Sequence, residues 1–82
     1  MWSVYIVRCA DGTLYTGVAK DVDARLARHN QGVGAKYTRS RLPVRLVFRE
    51  EAGEQGLALR REMEIKALSA EGKRELIMAG AE

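Results

Sequence analysis

The chain is 82 residues long, 46% apolar and 30% charged. That length allows one small domain, and that composition belongs to a folded globular protein rather than a disordered one. No apolar run approaches the ~18 residues of a membrane span, and residues 1–9 lack the basic start and small-residue cleavage site of a signal peptide. The single cysteine, Cys9, has no partner for an internal disulfide, so a cytoplasmic location without membrane contact is expected.

Residues 2–9 (WSVYIVRC) are rich in β-branched and aromatic types and read as a strand. Asp11-Gly12 is a hairpin signal, and residues 13–19 read as the returning strand. Gly17 inside it marks a bulge or a close backbone approach. Asp21 caps a helix over residues 22–30 that ends at Gly32, with Val22, Leu26 and Ala27 as its apolar positions. Residues 32–42 form a basic, glycine-containing connection with room for one helical turn. Pro43 stops any helix before it, and residues 44–49 read as a third strand that breaks at Ala52-Gly53. Residues 55–68 read as a helix presenting Leu59, Met63 and Ile65 or Lys66. Ser69 caps a last helix over 70–79, anchored by Leu76 and Ile77 and weakened by Gly72. The expectation is one α+β domain over residues 1–79, order β-β-α-β-α-α on a small antiparallel sheet, with 80–82 as a tail.

The net charge of +3 conceals an asymmetry. From Lys20 to Arg49 there are eight basic residues against two acidic ones, a net +6, whereas Glu50 to Glu82 carries a net −3. A basic segment of this kind points to an anionic partner, nucleic acid foremost, because neutralising phosphates releases counterions. The alternative is a solvated surface paired with the acidic half. Lys36, Tyr37, Arg39, Arg41 and Lys66 are the expected nucleic-acid contacts.

Tyr5 and Tyr15 lie on the two strands of the hairpin. A two-residue turn would place them on opposite faces. A three-residue loop, Ala10-Asp11-Gly12 with Gly12 left-handed, pairs Cys9 with Thr13, sets Tyr15 opposite Val7 and puts Tyr5 diagonally beside it. By spacing alone, simple packing accounts for two strand tyrosines better than catalysis does. Arg25 and His29 stand four apart on one helical face, a pairing suited to holding phosphate and carrying a proton, though equally found on solvent faces. Glu62 and Lys66, also four apart, read first as a surface ion pair. A lone glutamate is still enough for one Mg²⁺ that keeps most of its waters. No zinc-ligand spacing, Walker loop or nucleophile elbow is present.

Taken in order, these residues resemble a known family. Val4-Tyr5-Ile6 and, ten residues from tyrosine to tyrosine, Tyr15-Thr16-Gly17 resemble a relaxed form of the GIY-YIG nuclease signature. Arg25-Leu26 with His29, Arg61-Glu62 with Ile65-Lys66, and the run Gly34-Ala35-Lys36-Tyr37-Thr38-Arg39 extend the resemblance over Met1 to Ile77, to small stand-alone proteins of that family. The resemblance implies a three-stranded antiparallel sheet flanked by helices and metal-dependent hydrolysis of DNA with one Mg²⁺ or Mn²⁺. It matches Glu62 to the metal-binding glutamate and Arg25 to the arginine on the scissile phosphate. It matches Tyr5 and Tyr15 to the signature tyrosines and His29 to a proton relay. A phenol with a pKa near ~10 is a poor base, so Arg25, the metal or a lysine is expected to lower it.

There are departures. The first triplet lacks Gly and Ile in the expected places, and Thr16 replaces the central Ile of the second. Val18 stands where some members carry lysine, and no asparagine follows Glu62. Two other classes therefore stay open beside a nuclease of structured or damaged DNA: a non-catalytic nucleic-acid-binding module, and an interaction subunit that works through a protein partner. Which DNA structure is cut, whether RNA is bound and whether the chain forms a homodimer are not legible in the sequence.

Overall fold

A computed structural model describes residues 1–80. The order is β1 (Trp2–Arg8), β2 (Leu14–Ala19), α1 (Val22–Asn30), α2 (Lys36–Arg39), β3 (Arg45–Gly53), α3 (Gln55–Lys66) and α4 (Ala70–Gly80). The three strands form one antiparallel sheet in the order β2-β1-β3. This is the α+β architecture that the sequence implies. None of the described helices is long and apolar enough to cross a membrane.

The hairpin closes through the three-residue loop. Gly12 has φ 86°, and the Cys9 amide donates to the Thr13 carbonyl at 2.8 Å. The Asp11 carboxylate accepts from the Thr13 amide (3.1 Å) and hydroxyl (2.6 Å), which holds the turn. Val7 consequently pairs with Tyr15 and Tyr5 with Gly17.

β1 is central and covered on both faces, so its side chains from Ser3 to Val7 are all buried. One face carries Tyr5, Val7, Cys9 and Ala19 under Val22 and Leu26 of α1. The other carries Val4, Ile6 and Phe48 under Ala58 and Ile65 of α3 and Leu76 and Ile77 of α4.

Several boundaries differ from the sequence reading, those of β1 and β2 by one residue. β3 runs four residues past 49, because Glu50, Glu51 and Gly53 pair with Val4, Ser3 and Trp2 of the central strand. Ladder bonds to a ready-made strand outweigh the poor strand propensity of glutamate. α3 ends at Lys66 rather than 68. Gly80, assigned to a tail, closes α4; residues 81 and 82 lie outside the described residues. The Ser69 cap is present, its hydroxyl accepting from the Gly72 amide at 3.0 Å.

The apolar face of α3 is the larger correction. Leu59 and Met63 point outward, 41% and 71% exposed, and the face turned to the sheet is Ala58, Arg61, Glu62 and Ile65. Arg61 accounts for part of the change. Its guanidinium grips Glu50 of β3 through two bonds, 2.8 and 3.3 Å, and Glu64 at 3.1 Å, so a cation occupies the sheet-facing stripe. On α1, Ala27 is likewise exposed. Ile65→Ala should therefore cost about 2–5 kcal/mol of unfolding free energy. Met63→Ala should stay within about 0.5 kcal/mol. Urea denaturation of both variants checks this, and equal losses would restore the sequence-based face.

Candidate active site

α1 carries its functional residues in its buried stripe. Asp21 caps the helix by accepting from the Ala24 amide at 3.0 Å, which fixes the register of Val22, Arg25, Leu26 and His29 against the tyrosine face of the sheet. His29 is fully buried. Its Nε2 lies 2.8 Å from the Tyr5 hydroxyl and its Nδ1 2.9 Å from the Thr38 hydroxyl. Both signature tyrosines meet the imidazole edge-on, at 6.0 Å for Tyr5 and 5.6 Å for Tyr15.

Two glycines make this approach feasible. A Cβ on Gly17 would stand 2.6 Å from the Tyr5 hydroxyl, so the phenol lies across bare backbone of the edge strand. That is the close approach its place in the strand implies. A Cβ on Gly34 would overlap Nδ1 of His29, so the chain after α1 folds tightly over the imidazole. Thr38 and Gly34 are the residues that sequence reasoning missed. Both sit in the Gly34–Arg39 run, but only a contact across nine residues reveals what Thr38 touches.

Burial pushes the Tyr5 phenol above its ordinary value of 10.0; the Arg25 guanidinium beside it pulls the other way, and Tyr15 and Glu62 add to the rise. Arg25 thus acts in the expected direction, and desolvation outweighs it. Burial likewise holds the His29 imidazole below 6.5, with Arg25 acting in the same direction, so the ring is neutral at pH 7.

Glu62 arrives differently from the other four. Tyr5, Tyr15, Arg25 and His29 share one side of the sheet, whereas α3 packs on the opposite side. Four of the five catalytic candidates therefore share one face of the sheet. Glu62 still lies near enough for its charge to act on Tyr5, and its side chain is only 16% exposed, with Lys66 at 3.4 Å. Among the described residues no group of three or more His, Cys, Asp or Glu side chains converges.

The expected nucleic-acid contacts divide. Lys36 and Arg39 are exposed on α2 and take part in none of the ion pairs among the described residues. Tyr37 stacks on Tyr15 at 5.9 Å, and the Arg41 guanidinium covers it at 4.0 Å. Arg41 also binds the Asp11 carboxylate (3.0 Å) and the Tyr37 carbonyl (2.6 Å), which ties the loop to the hairpin turn. Lys66 is held by Glu62. A groove at the edge of the sheet is lined by Trp2, Val18, Lys20, Asp21, Arg25 and Arg28, adding two cations that the sequence offered only as part of the basic segment.

With this geometry in view, the similarities to known proteins are specific. Residues 1–75 match the family described as the GIY-YIG catalytic domain, and the chain belongs to that family. It is 52% identical over 77 residues, 94% of each chain, to the UPF0213 protein SSP2268 of Staphylococcus saprophyticus. It is 53% identical over the same length, again 94% of each, to the UPF0213 protein SERP0126 of Staphylococcus epidermidis. The solution NMR structure of the UPF0213 protein BH0048 from Bacillus halodurans superposes with a TM-score of 0.63 at 44% identity, covering 99% of this chain and 88% of that one.

The buried imidazole sets a pH dependence. His29 is held below 6.5 in the fold, so the unfolded chain binds more protons as pH falls. Its contribution is complete above about pH 6.5 and is lost as pH drops through and below that value. Asp11, held below 3.8 first by its bonds to Thr13, loses its contribution only in stronger acid. Between about pH 8 and pH 5 the wild-type Tm should therefore fall, and His29→Gln should fall less. A wild-type Tm flat over that range would contradict a neutral buried His29.

Proposed function

We propose that this protein is a divalent-metal-dependent endonuclease that hydrolyses phosphodiester bonds of DNA, with structured or damaged DNA as its substrate in the cytoplasm. The observation that carries this reading is the 2.8 Å bond between the Tyr5 hydroxyl and a buried, neutral imidazole, with Arg25 beside it. A tyrosine with a raised pKa is no use as a free phenolate at neutral pH. Joined to His29 it can take a proton from water while passing its own to Nε2, so no phenolate need accumulate.

Arg25 would hold the phosphate and offset charge developing on its oxygens. Glu62 fits a hard cation such as Mg²⁺ or Mn²⁺: it is a largely buried carboxylate, 16% exposed, and Mg²⁺ commonly takes one or two carboxylates and keeps its waters. A bound ion of this kind would supply positive charge to the phosphate oxygens. Lys36, Arg39, Lys20 and Arg28 would follow the backbone outside the reacting centre.

A second reading, a nucleic-acid-binding module without activity, draws on one observation: Lys66 already neutralises Glu62 at 3.4 Å. Glu62→Gln separates the two. On the nuclease reading, cleavage of a panel of branched, nicked, single-stranded and duplex DNA with Mg²⁺ or Mn²⁺ falls by orders of magnitude. Metal-free DNA binding meanwhile holds or tightens. Arg25→Ala should lose cleavage and affinity together. Wild type that cuts nothing, or Glu62→Gln that cuts at the wild-type rate, would remove the enzymatic role of Glu62.

Binding makes its own prediction. Lys36→Ala and Arg39→Ala should each weaken all DNA sequences alike and reduce the salt slope by about 1. Arg41→Ala should change the slope less, because its charge is committed to Asp11. Unchanged slopes for Lys36→Ala and Arg39→Ala in filter binding would place the DNA on another surface.

A further inference from the structure

We propose that Thr38 is a positioning residue: through Nδ1 it fixes His29 in the tautomer whose Nε2 is a bare acceptor, so that the Tyr5 proton points at His29. This deepens the nuclease reading and rests on it for the kinetic consequence alone.

Protons and gaps between the polar atoms match in number. Three short gaps run in series: Tyr5 Oη to His29 Nε2 at 2.8 Å, His29 Nδ1 to Thr38 Oγ1 at 2.9 Å, and Thr38 Oγ1 to the Ala35 carbonyl at 2.9 Å. A stable chain needs one proton in each gap. The available protons are also three: the phenol O–H, the single N–H of a neutral imidazole, and the threonine O–H. A carbonyl has no proton to give, so the Thr38 hydroxyl must donate to Ala35. The second gap is then filled only from His29, which places the imidazole proton on Nδ1. Nε2 is left with its lone pair, and the first gap is filled by Tyr5. The reverse polarity would set the lone pairs of Thr38 and Ala35 against each other at 2.9 Å.

Local structure holds the carbonyl end of this chain in place. Ala35 is the N-cap residue of α2, and Thr38 stands three residues on, the spacing at which a threonine hydroxyl reaches back to the main chain. His29 and Thr38 have no solvent exposure, so water offers neither a substitute proton nor a substitute acceptor. The Gly34 backbone closes over the ring on the Nδ1 side. Which nitrogen of a histidine carries the proton is set by the bond the other one makes. Here that bond is the one to Thr38.

The polarity has a chemical use. As the oxygen of an attacking water bonds to phosphorus, its proton goes to the Tyr5 oxygen and the Tyr5 proton goes to Nε2. The bond from phosphorus to the leaving oxygen breaks with its electron pair, and that oxygen takes a proton from solvent. His29 is then an imidazolium with Nδ1–H on Thr38 and Nε2–H on Tyr5. Beyond Ala35 the chain has no further titratable group, so the proton returns to Tyr5, which releases one to solvent. In the opposite tautomer Nε2–H would donate to Tyr5, and His29 could accept nothing there.

His29 is the only histidine of the chain, so its ring nitrogens are unambiguous in long-range ¹H–¹⁵N spectra. At a pH where the ring is neutral, wild type should show a protonated Nδ1 and an unprotonated Nε2. Thr38→Val keeps the shape and removes the hydroxyl; it should shift the population to Nε2–H. On a DNA substrate it should slow cleavage by about 10-fold or more, within the ~10²–10⁴ that proton-transfer assistance contributes. Thr38→Ser should restore both the Nδ1–H signature and the rate.

Wild type in the Nε2–H form overturns the proposal without any variant, even if Thr38→Val fails to fold. Thr38→Val that keeps Nδ1–H overturns it too. A tautomer switch with an unchanged cleavage rate would overturn its catalytic half. Wild type that cuts no DNA but shows Nδ1–H, lost in Thr38→Val and regained in Thr38→Ser, upholds the assignment of the tautomer. In that case the nuclease reading alone fails.

Discussion

The site depends on one contact: the phenol of Tyr5 crossing the bare backbone of Gly17 to reach a histidine sealed from water. A tyrosine hydroxyl buried without a partner costs about 1–3 kcal/mol, so the fold must bring it an acceptor. His29 is that acceptor, and it too must be satisfied on its far nitrogen. The requirement passes outward from Tyr5 to His29, to Thr38, to the Ala35 carbonyl, where the main chain ends it. A chain of this kind imposes geometry on everything it touches. It fixes the pitch of α1, the tightness of the Gly34 turn and the presence of a helical turn at α2 that would otherwise be too short to persist.

The charged residues show a division of labour. Arg61 and Arg41 have fixed partners and join elements: α3 to β3 through Glu50, and the basic loop to the hairpin turn through Asp11. Their side chains are each about one-third exposed, so these pairs orient more than they stabilise. Arg41 adds the packing of its guanidinium on Tyr37, which in turn backs Tyr15. The aromatic column therefore ends in a cation, and Tyr15 is braced from behind. Lys36 and Arg39 hold no such partner among the described residues and present their charge to solvent on one helical turn.

The two helices that flank the sheet repeat one device. Val22, Arg25, Leu26 and His29 on α1 and Ala58, Arg61, Glu62 and Ile65 on α3 occupy the same i, i+3, i+4, i+7 stripe. In each, two apolar residues, Val22 and Leu26 on α1 and Ala58 and Ile65 on α3, seat the helix on the sheet while two polar ones in the same stripe are carried inward. A carboxylate in such a stripe is removed from most of the water that would screen it, as Glu62 is, with only 16% of its side chain exposed.

The same device explains what could be read early. Strand composition, the Asp11-Gly12 turn, the Asp21 cap and the Ser69 cap are local signals, each set by a few neighbouring residues, and the hairpin register followed from them. The one-sided placement of Tyr5 and Tyr15 was therefore legible in the sequence, as was the shared face of Arg25 and His29. The sheet-facing side of α3 was not. Hydrophobic periodicity looks for apolar stripes, and this stripe holds Arg61 and Glu62 while Leu59 and Met63 face solvent. The length of β3 was not legible either, because Glu50 and Glu51 are strand residues only by virtue of the strand they pair with. The sequence by itself determined the elements, their order, the family and the set of reactive side chains. Only the tertiary structure decided which atoms touch: Thr38 on His29, Gly34 over the imidazole, Arg41 on Asp11. Those contacts span 9, 5 and 30 residues, and no local pattern encodes a hydrogen bond whose partner is chosen by how the sheet and helices pack.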